Sequence, residues 1–139
     1  MQGLRSLAIV AAVTACADRV VSHPPPVVPA ERIAGIEWIA AEIHGLPGDA
    51  AVRSTLRVEP DGRAFGNGGC NHFTGAARID GATLTLGPLA STRMACAPPR
   101  GPQEDRYLAA LNAVRRYEII DGRLRLLDAN GAVLAVFSR

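Results

Sequence analysis

The chain contains no lysine: all 15 of its basic residues are arginine, set against 13 acidic residues for a formal charge of +2. Phosphate binding needs a clustered basic face, and Arg115, Arg116, Arg123 and Arg125 are interleaved with Glu118 and Asp121, which argues against a nucleic-acid partner. Aromatics are scarce at 4%, so Leu, Val, Ile and Ala are expected to build the core. Long apolar runs are missing too, which excludes a polytopic membrane protein, since a spanning helix takes about 20 apolar residues. A length of 139 residues excludes a two-domain nucleotide enzyme or a (β/α)8 barrel, which needs roughly 250 residues. One folded domain with short extensions remains.

What is present begins with an address. Arg5 and the uncharged run over residues 7–15 fit the first two regions of an export signal. The run ends Val13-Thr14-Ala15-Cys16, which resembles the lipobox of bacterial lipoprotein signals. That resemblance implies a signal peptide over residues 1–15, cleavage before Cys16 and acylation of its sulfur. Two or three acyl chains anchor stably, at about 0.8 kcal/mol per buried CH₂. An ordinary cleaved signal that happens to contain a cysteine is the plainer alternative. In the sorting rule of enterobacterial lipoproteins, Asp directly after the lipidated Cys retains the protein in the inner membrane. Here Ala17 follows and Asp18 comes one later, which points to the outer membrane, facing the periplasm. Residues 16–35 then read as a tether, because Pro24, Pro25, Pro26 and Pro29 favour an extended chain of about 3.1 Å per residue. His23 within it reads as solvated.

From Ile36 the chain reads as short strands, at 37–43, 54–59, 63–66, 75–79, 83–86, 117–120, 123–127 and 133–137. Asp61-Gly62, Asp80-Gly81, Asp121-Gly122 and Asn130-Gly131 each separate two of them, and such pairs supply the positive φ of hairpin turns. The fold expected is mainly β (α+β): a small antiparallel, partly closed barrel or meander of about eight strands, with one helix packed on it. In that helix Pro102 occupies a first-turn position, Glu104 and Asp105 suit the positive end of the dipole, and Arg115 and Arg116 close the last turn. Tyr107, Leu108, Leu111 and Val114 form the stripe that docks on the sheet.

Chemistry is confined to residues 66–75 and 92–96. Gly66, Gly68 and Gly69 bend the backbone, but no P-loop ending and no helix follow, so a β-bulge is favoured over a phosphate cradle. Cys70 and His72 admit a thiolate nucleophile, although no third group orients the imidazole. Cys70, His72 and Cys96 admit a zinc site, although paired Cys-x₂-Cys spacing and a fourth ligand are missing. With Cys16 consumed by lipid, Cys70 and Cys96 leave an even pair of thiols in an oxidising compartment, suited to a disulfide. Two buried, reduced thiols are the remaining option.

Taken together, Gly69-Cys70-Asn71-His72-Phe73-Thr74-Gly75, Leu89-Ala90-Ser91-Thr92-Arg93-Met94-Ala95-Cys96, Glu104 with Tyr107-Leu108-Ala109-Ala110-Leu111, and the closing hairpin over residues 124–131 resemble the META domain of the HslJ-like heat-inducible lipoprotein family. Trp38 and the turn Pro60-Asp61-Gly62-Arg63 also fall where that family has a Trp and a turn. The match covers most of residues 36–139. It implies a small antiparallel barrel with one helix, in an envelope protein of the heat-shock-associated kind. In relatives such domains are linked to novobiocin tolerance and, in trypanosomatids, to virulence or motility. Trp38, Gly69, Cys70, Asn71, Gly75, Thr92, Met94 and Cys96 carry over as structural signature positions. The resemblance implies no catalytic residue, metal or cofactor. A lipid-anchored, monomeric, non-enzymatic protein is therefore expected, one that supports envelope stress or antibiotic tolerance by binding another envelope component. A barrel holding a small apolar ligand is the alternative.

Overall fold

The structure is a computed structural model that describes residues 33–139; the expected signal, Cys16 and most of the tether lie outside the described residues. The elements run β1 (Glu37–Ile43), β2 (Leu46–Pro47), β3 (Thr55–Val58), β4 (Arg63–Asn67), β5 (His72–Asp80), β6 (Thr83–Leu86), β7 (Ala90–Ser91), α1 (Arg100–Ala113), β8 (Arg116–Ile120), β9 (Arg123–Leu127) and β10 (Val133–Ser138). The ten strands form one antiparallel sheet ordered β10-β9-β8-β6-β5-β4-β3-β1-β2, with β7 on β5. β1 returns to β10, Ile39 opposite Ser138, and so closes a ring. Omitting the two-residue strands β2 and β7 leaves the eight strands that the sequence pattern marks. The ring is closed only in part, because β6 and β8 share the single register pair Thr83–Arg116.

The turns divide into two kinds. Asp121 and Gly122 have φ of 51° and 75°, the pair of positive values a two-residue turn of type I′ demands. Pro60-Asp61-Gly62 and Ala129-Asn130-Gly131 are three-residue loops instead, with Gly62 N–H bonded to Glu59 O and Gly131 N–H to Asp128 O, and only the glycine at positive φ. Between β5 and β6 the two central residues are Gly81 and Ala82, so the turn lies one residue beyond the expected Asp80-Gly81. β5 also begins at His72, three residues before the strand expected at Gly75. Its exposure alternates from the start, His72 out and Phe73 in, so the Gly-Cys-Asn segment is itself a hairpin turn from β4.

Alternating strand directions sort the connections into two ends. The turns at 59–62, 81–82 and 121–122, the approach to β1 and the carboxy terminus lie at a first end; the segments 44–54, 68–71, 87–115 and 128–132 lie at a second. At the first end Ile33 and Trp38 are fully buried, the indole N–H donates to Ile33 O at 3.1 Å, and the Arg139 guanidinium lies 5.7 Å from the ring. Ile33 stands three residues ahead of the boundary drawn from the sequence. Helix α1 packs on β1, β6 and β10, with Tyr107, Leu111 and Val114 fully buried. The Tyr107 ring lies 6.1 Å from both Phe73 and Phe137. The core is thus less aliphatic than composition suggested: Trp38, Phe73, Tyr107, Tyr117 and Phe137 are all buried. Few aromatics are enough when nearly all of them point inward.

The helix charges also differ from expectation. No acidic residue stands in the first turn and no basic residue in the last. Arg115 falls after the helix and Arg116 opens β8, while Glu104 sits on the stripe occupied by Tyr107 and Leu111, three and seven residues later, and is buried.

Candidate functional site

At the second end, α1 brings Glu104 under the Gly-Cys-Asn turn. One carboxylate oxygen accepts the backbone N–H groups of Cys70 at 3.0 Å and Asn71 at 2.5 Å; the other accepts the Asn71 side-chain amide at 2.7 Å. The amide oxygen of Asn71 accepts Met94 N–H at 2.7 Å and the Thr92 hydroxyl at 3.0 Å, and its nitrogen reaches Met94 O at 3.3 Å. Because a carboxylate only accepts, the network fixes which way the Asn71 amide points. Asn71 and Glu104 are 5% and 7% exposed, so these bonds replace water that the groups have lost. Burial by itself raises the pKa of Glu104, but the donors from the Asn71 side chain and from the Asn71 and Cys70 backbones outweigh it. The carboxyl is held below its usual 4.5.

Two neighbours complete the corner. Gln103, next to Glu104, accepts Asp49 N–H at 2.8 Å and donates to Val52 O and the Ser54 hydroxyl; Ser54 in turn donates to Gly68 O at 2.8 Å. A disulfide joins Cys70 to Cys96, with their Cα atoms 6.2 Å apart. Gly68 and Gly69 leave no room for a side chain in this corner. A Cβ on Gly68 would stand 2.6 Å from a Glu104 oxygen, and one on Gly69, where φ is 127°, 2.6 Å from Val52.

The fold gathers Gly69, Cys70, Asn71, Thr92, Met94 and Cys96 into this corner. Trp38 lies at the opposite end, and Gly75 lies along β5, where its bare Cα admits Pro88 and Leu89. His72 is exposed on β5, its backbone N–H bonded to the Thr92 hydroxyl at 3.2 Å. No group of three metal-ligating side chains occurs among the described residues. Cys16 lies outside them. Reading the sequence for chemistry passed over Gln103, Glu104 and Ser54. The usable signal was the helical spacing from Glu104 to Tyr107 and Leu111, which sets a carboxylate on a buried face where it must find donors.

A family model for the META domain matches residues 31–139. The chain belongs to the META domain family. Its buried Asn71–Glu104 corner joins the Gly-Cys-Asn turn, the Thr-Arg-Met-Ala-Cys segment and the helix. Among solved structures, the META fold here is similar to an NMR structure of a protein from Burkholderia xenovorans, 26% identical, with a TM-score of 0.64 over 91% of this chain and 98% of that one. A second NMR structure is 22% identical, with a TM-score of 0.63 over 79% and 94% of the two chains. A DUF4847 family protein from Bacteroides vulgatus is 16% identical, with a TM-score of 0.57 over 78% and 94%. The last two likenesses speak to fold alone. No curated protein matches the chain.

Proposed function

We propose that this META-domain protein is a non-enzymatic, lipid-anchored component of the bacterial envelope, held by Cys16 to the outer membrane on its periplasmic side. There it supports envelope stress or antibiotic tolerance by binding another envelope component. The observation that carries the non-enzymatic reading is the saturation of the signature corner. Glu104, Asn71 and Thr92 are spent on one another and on backbone groups, and Cys70 and Cys96 are joined, so no convergent acid, base and nucleophile is offered to a substrate. Support for an anchor comes from the lipobox at Val13-Thr14-Ala15-Cys16. The ligand-barrel alternative gains nothing from the interior, where Trp38, Leu56, Leu84 and Leu124 are fully buried.

The test is fractionation and intact mass of the exported full chain beside a Cys16→Ser variant. Recovery in the outer membrane with a mass that includes acyl chains, and release of the variant, is the expected result. A wild-type chain that is released without lipid would remove the anchor.

A further inference from the structure

We infer that the loop from Arg93 to Arg100 is a docking surface for an extended acidic segment of another protein, one that sets an apolar side chain beside carboxylates. This rests on the envelope-partner reading above and supplies the surface and chemistry that reading leaves open.

The first observation is an exposed apolar group on a fixed backbone. Met94 is 59% exposed, among few large apolar side chains left in solvent. Yet both its backbone polar groups are bonded to the Asn71 side chain, Thr92 N–H is bonded to His72 O at 3.0 Å, Cys96 is tied to Cys70, and Arg100 N–H is bonded to Ala97 O at 3.1 Å. Holding such a loop in one shape removes the ordering cost that a partner would otherwise meet, and a thioether adapts to varied apolar surfaces.

The second observation is a receptive shape with unbalanced charge. Beside Met94 is an open depression of about 440 Å³, lined by the disulfide, Ala97, Pro98, Pro99 and Arg100. Arg93 and Arg100 are both exposed. The ion pairs of the described residues involve Arg53, Arg57, Arg63 and Arg125, so neither of these two has a carboxylate partner among them. Glu104, the acid nearest in the network, is buried and already accepts three N–H groups. Arg100 lines the depression and Arg93 directly precedes Met94 in the chain; an apolar depression with guanidiniums at both ends of its loop complements carboxylates flanking an apolar side chain, and guanidinium binds carboxylate with two parallel hydrogen bonds.

Two further facts favour a peptide over a bilayer. β7, which leads into the loop, is paired with β5 alone, so among the described residues it is a strand edge of the kind extended peptides extend. Membrane insertion would draw on several large apolar side chains, and Met94 is the single one between Arg93 and Arg100. The loop also stands at the barrel end opposite Ile33, the first described residue.

The full chain has two methionines, Met1 and Met94, so a methyl-labelled sample reports the loop with one internal signal. The sample is titrated with a synthetic peptide alternating Glu with Leu and Val, with its Lys-for-Glu counterpart, and with phosphatidylglycerol vesicles. The expected result is a saturable shift of the Met94 methyl with the acidic peptide alone, weakened by salt. Replacing both arginines (Arg93→Ala with Arg100→Ala) should weaken it by about tenfold or more while the urea midpoint is kept. No saturable shift, equal response to the Lys peptide, or response to vesicles alone overturns the surface. Fractionation at Cys16 is independent of this titration, so loss of the anchor and loss of the docking surface are told apart.

Discussion

At the first end of the barrel, Asp121-Gly122 and its neighbours reverse the chain within two or three residues, and Ile33 and Trp38 are fully buried apolar side chains. At the second end the same sheet is closed by a helix, a disulfide and a buried polar corner built from residues up to 54 positions apart, as in the bond from Asp49 N–H to Gln103. The contrast shows two ways of finishing a small barrel. The apolar end tolerates imperfection, since burial is non-directional and each contact is small. The polar end is all or nothing, because a buried donor left without its acceptor costs more than the bond itself contributes.

The sharpest way to break the comparison is Glu104→Gln. One amide oxygen cannot serve all three N–H donors, so a loss of about 3 kcal/mol is expected in urea unfolding. A change under about 1 kcal/mol would mean that the disulfide and the Gln103 bonds hold this end without the carboxylate. The same carboxyl gives a pH signature. Its pKa is lower folded than its usual 4.5, so its contribution is fully present above that value and is lost as pH falls through the folded one. The variant should show a flatter decline of stability on acidification below pH 4.5 than the wild type.

Glycine substitutions compare the ends directly. Gly68→Ala forces a Cβ to within 2.6 Å of a Glu104 oxygen, whereas Gly122→Ala meets nothing within 4 Å and bears only the strain of φ at 75°. Losses of about 2 kcal/mol and about 1 kcal/mol are expected in thermal or urea melts. Equal losses would show that the corner relaxes around the added methyl.

The smallest effect should carry the opposite sign. The Tyr107 hydroxyl is fully buried and has no hydrogen-bond partner, and burial raises its pKa well above the usual value. Tyr107→Phe should therefore be neutral or stabilising by up to about 1 kcal/mol. A clear loss instead would reveal an ordered water at the helix–sheet junction.

Much of the fold was legible because its signals are local. Asp121-Gly122 announces a turn whatever surrounds it, and Leu124 and Leu126 alternating with Arg123 and Arg125 announce a strand with one buried face. Tyr107, Leu111 and Val114 mark the docking face of α1 by spacing alone. The corner was legible only as a set of motifs. Glu104 read as a dipole partner because a charged residue near a helix start usually is one, and nothing within the helix names Cys70 and Asn71 as its donors.

Local chemistry in the sequence, period-two alternation, turn residues and one helical stripe, was thus sufficient to determine a meander of about eight strands with a helix between the fifth and sixth of them. The tertiary structure alone decided that β1 meets β10, that Gly-Cys-Asn faces Glu104, and that Met94 is presented on a loop whose backbone is bound. The physical reason is range: φ, ψ and side-chain period are properties of neighbours in the chain, whereas a buried acceptor is assigned to its donors only when ring closure places distant segments side by side.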